Sequence, residues 1–150
     1  MPEKKTLEKA REAKREGKSA STQAGEFVRE EIHHVREGKH GARSTKQAIA
    51  IGLSKARRAG VRLKPPKKGR VSSETRKSAA RDYREGQAEK HHAPSSKRSR
   101  ATLKALKREG HSAASKKSLA RQARSSASHK SAASRSAAAK KAARTRARTS

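Results

Sequence analysis

The strongest pattern of apolar and polar positions lies in residues 41–60, GARSTKQAIAIGLSKARRAG. At about 100° per residue, its apolar and small residues share one face of a helix; they are Ala48, Ile49, Gly52, Leu53, Ala56 and Ala59. Ser44 is a favourable N-cap with Gln47 three residues later, and Gly60 supplies a stop signal. The segment therefore predicts a capped amphipathic helix whose apolar face needs a packing partner.

The opposite face of this helix is cationic. It carries Lys46, Arg57 and Arg58. The two arginines lie near the end of the helix, where cations interact favourably with the helix dipole. We expect this face to lie in solvent or against a polyanion.

The preceding segment predicts a partner helix. Within residues 18–38, apolar residues recur at i, i+3, i+4, i+8 and i+11, at Ala24, Phe27, Val28, Ile32 and Val35. Ser21 or Thr22 can cap this helix and Gly38 can end it. Two such helices with a short glycine-containing link predict an αα-hairpin similar to a helix-turn-helix. Small residues on the second helix would let the pair approach closely, at Ala48, Gly52 and Ala56.

The segment before this pair predicts weaker structure. Residues 3–16 are rich in good helix formers, but Leu7 is their only large apolar residue. They therefore predict a solvated, fraying helix that ends at Gly17.

The segments after the pair are also weakly apolar. Pro65 and Pro66 favour an extended linker. A helical pattern then runs from Ser72 or Ser73 and ends at Gly86, residues 87–96 predict a loop, and residues 97–109 predict another basic helix. Gly110 predicts a further stop.

These patterns predict a mostly α-helical chain with a small helical hairpin, further isolated basic helices and long disordered cationic segments. We expect four divisions. They are a helical head in residues 1–62, a Pro-rich basic linker in 63–73, weak basic helices in 74–110, and a disordered Ser/Ala/Lys/Arg tail in 111–150.

Composition limits the size of any core. The chain has 42 Lys and Arg against 13 Asp and Glu, a net charge of +29, and only 14 of its 150 residues are Ile, Leu, Val or Phe. A highly charged chain with so few large apolar residues cannot form a core of full length. It has no Cys, no apolar run long enough to span a membrane, and no secretory signal at its N-terminus. We expect a cytoplasmic protein with no membrane partner.

Charge is unevenly distributed along the chain. Residues 39–73 and 110–150 each carry eleven bases and no acid, whereas residues 1–38 carry nine bases and eight acids. Dense cations that neutralise phosphates release condensed counterions, which drives non-specific binding to nucleic acid. The two cationic blocks therefore predict phosphate-backbone contact.

The residues REGKHGARSTKQAIAIGLSKARRAG resemble the signature of a family of short, basic, uncharacterised bacterial proteins. The hallmark of that family is a helix of the form S-T-K-Q-A-I-A-I-G-L-S-K-A-R, and the resemblance covers roughly residues 1–120. It implies no established activity. The segment SRSAAAKKAARTRA separately resembles, in composition, the Ala/Lys/Arg tails of linker histones and bacterial histone-like proteins, although it lacks their repeated Pro.

Candidate sites for other chemistry are absent from the sequence patterns. His33 and His34 point about 100° apart on a helix, and no metal-binding spacing is present. No nucleophile motif or phosphate-binding glycine loop occurs either. We therefore predict no enzyme activity, no catalytic or metal-binding residue, no cofactor and no small-molecule substrate.

The sequence favours a histone-like protein of the bacterial nucleoid that binds nucleic acid without sequence preference, DNA more than RNA. The predicted contacts are made by basic residues in the helix, linker, later helices and tail: Lys46, Arg57, Arg58, Lys67, Lys68, Arg70, Arg98, Arg100, Lys104, Lys116, Lys117, Arg121, Arg124, Lys140, Lys141, Arg144, Arg146 and Arg148. The alternative is a protein-interaction module that uses the hairpin and its acidic residues Glu26, Glu30 and Glu31. The oligomeric state stays open.

Overall fold

The computed structural model describes residues 1–89 and 93–149. These residues form helices and no strand, which confirms the mostly α class. The helices are α1 (Lys4–Arg15), α2 (Ala20–Arg36), α3 (Thr45–Arg58), α4 (Ser73–Gln87), α5 (Ser96–Lys107), α6 (Lys116–Ser128) and α7 (Ala132–Thr149), with a short 3-10 turn at Ser112–Ala114. Within the same ranges, no helix combines the length and apolarity needed to cross a bilayer. The chain divides into two compact units, Met1–Ser115 and Lys116–Ser150.

Local signals set the ends of α3 as predicted. The Ser44 hydroxyl accepts a hydrogen bond from the backbone N–H of Gln47 at 3.1 Å, and the Gln47 side chain accepts one from the backbone N–H of Arg43 at 2.7 Å. Gly60 follows the helix with φ +89°, a left-handed conformation that glycine adopts without steric cost. The end of α2 is similar, because Gly38 has φ +73°. The N-cap of α2 is Ser19 rather than Ser21 or Thr22.

Helices α2 and α3 pack against each other through Gly52. A Cβ atom at this position would lie 2.7 Å from Val28 Cα and 2.9 Å from Val28 N, closer than any side chain tolerates. Ala48 and Ala56 flank this glycine on the same face and are fully buried. The predicted close approach of the two helices through small residues is therefore confirmed.

Helix α1 differs from its prediction as a solvated, fraying helix. It packs on α2 and buries Thr6, Ala10 and Ala13. Ala10 belongs to the main core cluster, against which Leu7 is partly buried. A single leucine was sufficient because alanines at helical spacing form a narrow apolar stripe. The core cluster itself consists of Ala10, Ala24, Phe27, Ala56 and Val61.

Gly86 does not end a helix, in contrast to the sequence-based prediction. It lies inside α4, and a Cβ atom there would be 1.8 Å from the carbonyl oxygen of Arg57. The glycine therefore allows α4 to approach the end of α3. This contact extends the packed helices beyond the predicted head of residues 1–62, because α4 packs on α3.

Residues 109–114 are also packed within the first unit, against the link before α3, although disorder was predicted from residue 111. The backbone N–H of Ala42 donates to Gly110 O at 3.0 Å, and the Thr45 hydroxyl donates to Ala113 O at 2.6 Å. Ala113 and Ala114 are buried. Two small apolar side chains and a few backbone hydrogen bonds therefore hold a segment that shows no long apolar pattern.

The second unit is helical where the sequence predicted disorder. Helices α6 and α7 occupy most of it, and none of residues 116–148 is buried. Ala, Lys and Arg are among the strongest intrinsic helix formers, which accounts for helices without a core. The predicted loop of residues 87–96 is partly observed between α4 and α5, but its residues 90–92 lie outside the described part of the chain.

The glycine contacts lead to a test with an internal control. We expect Gly52→Ala to lower the free energy of unfolding by about 1–3 kcal/mol, because α2 and α3 must move apart to accommodate the added methyl group. Gly25→Ala is the matched control in α2, since no atom lies within 4 Å of its added Cβ. That change should raise stability by about 0.5–1 kcal/mol through helix propensity alone. Urea unfolding followed by circular dichroism measures both; equal effects would contradict the close approach.

Candidate nucleic-acid interface

The acidic residues are concentrated at one end of the chain. Twelve of the 13 lie before residue 90, and Glu109 is the only one after it. Ion pairs join several of these acids to basic residues of the same region, among them Glu3, Glu31 and Asp82. No Asp or Glu follows Glu109, so the second unit carries eleven bases, ten of them in α6 and α7, with no acidic side chain of its own.

Asp82 on α4 neutralises part of the predicted cationic face of α3. Its carboxylate is 4% exposed and accepts hydrogen bonds from Ser54 Oγ at 2.6 Å and Arg58 Nε at 2.9 Å. Glu85 lies 3.6 Å from the same Arg58 nitrogen. The predicted face is thus partly covered by a helix that the periodicity of α3 alone does not reveal.

Arg57 does not lie on a solvent face as predicted. Its side chain is buried, and its Nε donates to the carbonyl oxygen of Leu63 at 3.1 Å. Burial lowers the pKa of the Arg57 guanidinium, against the opposing attraction of Asp82, but an arginine remains charged under all ordinary conditions. Arg57 therefore anchors the chain that follows α3 and is not positioned to contact an external phosphate.

The other predicted contact residues are all exposed, although Arg58 keeps its ion pair with Asp82. Apart from Arg58, which lies at the end of α3, they fall in four places. These places are the start of α3 (Lys46), the linker (Lys67, Lys68, Arg70), helix α5 (Arg98, Arg100, Lys104) and the second unit (Lys116, Lys117, Arg121, Arg124, Lys140, Lys141, Arg144, Arg146, Arg148).

Helix α5 presents a basic face that includes residues missed by the sequence interpretation. Arg100, Leu103, Lys104, Lys107 and Arg108 line one shallow surface groove. Lys107 and Arg108 were not predicted as contact residues, although their spacing of seven and eight residues from Arg100 places them on its face. No residue of α5 is buried.

Helix α7 presents a second basic face. The groove along it is lined by Ala137, Lys140, Lys141, Arg144, Thr145 and Arg148. These positions recur every three or four residues, so the cations form one stripe along the helix. Successive turns of such a stripe are roughly 6 Å apart, from four residues at a rise of 1.5 Å each.

A separate group of described residues could hold a metal ion. Glu31, His34 and His40 each offer one ligand atom within 4.8 Å of the other two. The sequence interpretation considered His33 with His34 and missed this group, because His40 comes from the link between α2 and α3. The pattern Glu-x-x-His within α2 was the local signal available, since residues three apart share a helix face.

Comparison with known proteins adds a family but no function. Residues 11–69 match the model of a family of unknown function (DUF6496). The match includes α2, α3 and the link between them, together with Glu31, His34 and His40. It covers less than half of the chain and ends before α4. No curated protein and no solved structure is significantly similar to the chain.

The contacts of Asp82 predict that replacing it lowers stability more than the loss of one negative charge would. We expect Asp82→Asn to lower the free energy of unfolding by about 1–3 kcal/mol, because it weakens two hydrogen bonds to a buried carboxylate. Glu89→Gln removes the same charge at an exposed position just after α4 and should change stability by less than about 0.5 kcal/mol. Urea unfolding distinguishes them. Similar losses in both variants would show that Asp82 acts only through net charge.

Proposed function

We propose that this protein binds nucleic acid, duplex DNA in preference to RNA, without sequence preference and through the phosphate backbone. The observation that carries the proposal is the separation of charge. Almost all acidic residues lie among the first four helices, where Glu31 and Asp82 join helices through ion pairs, whereas the exposed bases of α5, α6 and α7 have almost no acidic residue near them in sequence. Each base that contacts a phosphate releases a counterion, so this arrangement favours a polyanion. A place in the bacterial nucleoid is part of the proposal.

The stripe on α7 supports phosphate contact in particular. Lys140 and Arg144, and Arg144 and Arg148, are pairs of like charge at i,i+4, which destabilise an isolated helix. Phosphate groups along the stripe would remove this repulsion. Binding and helix formation in α7 are therefore mutually reinforcing in the proposed complex.

The aromatic residues give no support for reading bases. Recognition of single strands commonly uses aromatic side chains on which bases stack. Phe27 is 1% exposed in the core, and Tyr83 is half-buried on α4. Backbone contact without sequence preference is the mode that the remaining surface residues favour.

Groove recognition by α3 is not part of the proposal. A DNA-binding helix-turn-helix joins its two helices by a turn of about three or four residues. Here residues 37–44 connect α2 to α3, Arg57 is buried, and Arg58 pairs with α4. The basic face that would have to enter a groove is largely occupied by contacts within the protein.

The alternative of a protein-interaction module receives less support from the structure. Its acidic residues Glu30 and Glu31 are buried, and Lys55 lies 2.7 Å from Glu31. The apolar faces of α2 and α3 meet each other, with α1 packed beside them. Little of the predicted surface is left for a partner.

Two variants of equal charge test the proposal. The first changes Lys140, Lys141, Arg144 and Arg148 to Gln, which removes the stripe on α7. The second changes four exposed bases of α1 to Gln, at Lys4, Lys5, Lys9 and Arg11, which lie among the acids of that helix. Gln has a helix propensity close to those of Lys and Arg, so both variants should keep their helices.

Affinity for duplex DNA is measured by fluorescence anisotropy over a range of salt concentrations. The α7 variant should lower the log–log salt slope by up to about 3–4 units, and the α1 variant by less than about 1. Equal slopes in the two variants would show that net charge rather than a localised interface governs binding. The same titrations with single-stranded DNA and RNA test the preference, and tighter binding to RNA would overturn it.

A further inference from the structure

A group of charged side chains is buried where α2 meets α3. Glu31 on α2 is 0% exposed, and one of its carboxylate oxygens lies 2.7 Å from Lys55 Nζ on α3. The other oxygen, Oε1, lies 2.9 Å from Nε2 of His40. His40 is itself buried, at 7% exposure. A buried carboxylate requires such partners, because an isolated buried charge is strongly unfavourable.

The protonation of His40 is restricted by its backbone neighbour. Its Nδ1 lies 2.9 Å from the carbonyl oxygen of Gly41, which can only accept a hydrogen bond. Nδ1 therefore carries a proton, and the neutral ring presents the lone pair of Nε2 toward Glu31. A lone pair and a carboxylate oxygen at 2.9 Å repel each other unless a cation, either a proton or a metal ion, is shared by the two atoms.

The geometry is poor for a proton. Although His40 Nε2 and Glu31 Oε1 are close, they do not meet the angular requirement of a hydrogen bond, and Glu31 Oε1 has no such partner among the described residues. Glu30 Oε1 is likewise buried without one within those residues. Two buried carboxylate oxygens on adjacent residues of α2 thus lack hydrogen-bond donors, an uncommon situation in native proteins, although Lys55 Nζ lies 3.9 Å from Glu30 Oε1. Ligand atoms that point toward a common metal ion, rather than toward each other, have this geometry.

His34 brings a second imidazole to the same place. It lies one helical turn from Glu31 on α2, its side chain is 13% exposed, and its Nε2 lies 3.9 Å from Glu30 Oε1. Its ring meets that of His40 edge-on, with centroids 6.1 Å apart. The adjacent His33 is exposed and points elsewhere.

We propose that Glu31, His34 and His40 bind a divalent transition-metal ion of the Zn²⁺ type, with the buried carboxylate of Glu30 as fourth ligand. Two imidazoles and carboxylate oxygens form a donor set that Zn²⁺ commonly uses. The hydrogen bond from His40 Nδ1 to a backbone carbonyl is the outer contact that usually orients such a ligand. Lys55 holds the second oxygen of Glu31, which leaves one oxygen for the metal. This proposal does not depend on nucleic-acid binding.

Binding requires a small closure of the site. In a tetrahedral Zn²⁺ site with bonds near 2.1 Å, ligand atoms are about 3.4 Å apart, whereas those of Glu31, His34 and His40 are up to 4.8 Å apart. His34 Nε2 is engaged by a 3.0 Å contact with Glu3 Oε1. That contact, and to a smaller extent the contact of Glu3 with Lys39, lowers the pKa of the Glu3 carboxyl. Glu3 is half-exposed and can release the ring when a metal ion competes for it.

The site would join α2 to the link that precedes α3. His34 and Glu31 come from α2, whereas His40 belongs to that link, so one ion connects segments that otherwise depend on a core of few large residues. Metal binding to a folded site contributes its free energy directly to folding. The inferred role is therefore a structural staple for the part of the chain that matches the family model.

The test uses the full chain, stripped of metal by a chelator and titrated with Co²⁺ and Zn²⁺. We expect one equivalent of Co²⁺ to give the intense visible absorption of a tetrahedral site, displaced by Zn²⁺, and Zn²⁺ to raise the unfolding temperature. His34→Gln and His40→Gln should each weaken Co²⁺ binding by more than about 100-fold, the upper end of the loss for removing an outer contact. His33→Gln is the matched control and should bind as the wild type does.

A measurement on the unmodified protein guards against variants that fail to fold. In ¹⁵N spectra of the imidazole nitrogens, Zn²⁺ should shift Nε2 of His34 and His40 and leave His33 unchanged. Absence of stoichiometric binding, or binding that survives both variants and shifts other histidines, would overturn the proposal.

Discussion

Close approach between helix backbones is the constraint on which the first unit depends. With so few large apolar residues, its helices cannot be separated by layers of leucine and isoleucine. Gly52 brings α3 against α2 at Val28, and Gly86 brings α4 against the end of α3 at Arg57. Short distances between backbones allow alanines such as Ala56 to make contacts that larger side chains would otherwise supply. These two positions therefore do not tolerate substitution, because even a methyl group at either glycine would overlap the neighbouring helix.

The scarcity of apolar residues also accounts for the use of acids. Glu31 and Asp82 are buried and join α3 to α2 and α4 through Lys55, Ser54 and Arg58. Such contacts tie helices together without apolar bulk, but each carboxylate must be matched by a donor or cation. Twelve of the 13 acids lie before residue 90, among the first four helices, and the later segments are left almost purely basic. The same distribution of charge therefore underlies both the fold and the proposed binding surface.

Local signals were sufficient to predict α2 and α3, because caps, glycine stops and apolar spacing are all read within one segment. They failed where a neighbour decides the outcome. Gly60 and Gly86 both follow basic helical patterns, yet one adopts a positive φ and the other packs inside α4. Arg57 belonged to a polar face by periodicity, but α4 and the chain after α3 cover it. The pairing of His34 with His40 required the path of the link, which no helical period describes.

Ionic strength should affect the stability of the two units differently. The pair of Glu31 with Lys55 is partly buried and therefore less screened by salt than an exposed pair, so the packing of α2 on α3 depends weakly on ionic strength. In α7, Lys140, Arg144 and Arg148 are exposed and repel one another, and added salt weakens that repulsion. Salt thus favours the α7 helix while it opposes attraction to phosphate. A polyanion differs from salt because it neutralises the stripe, which favours the α7 helix, and also remains bound to it.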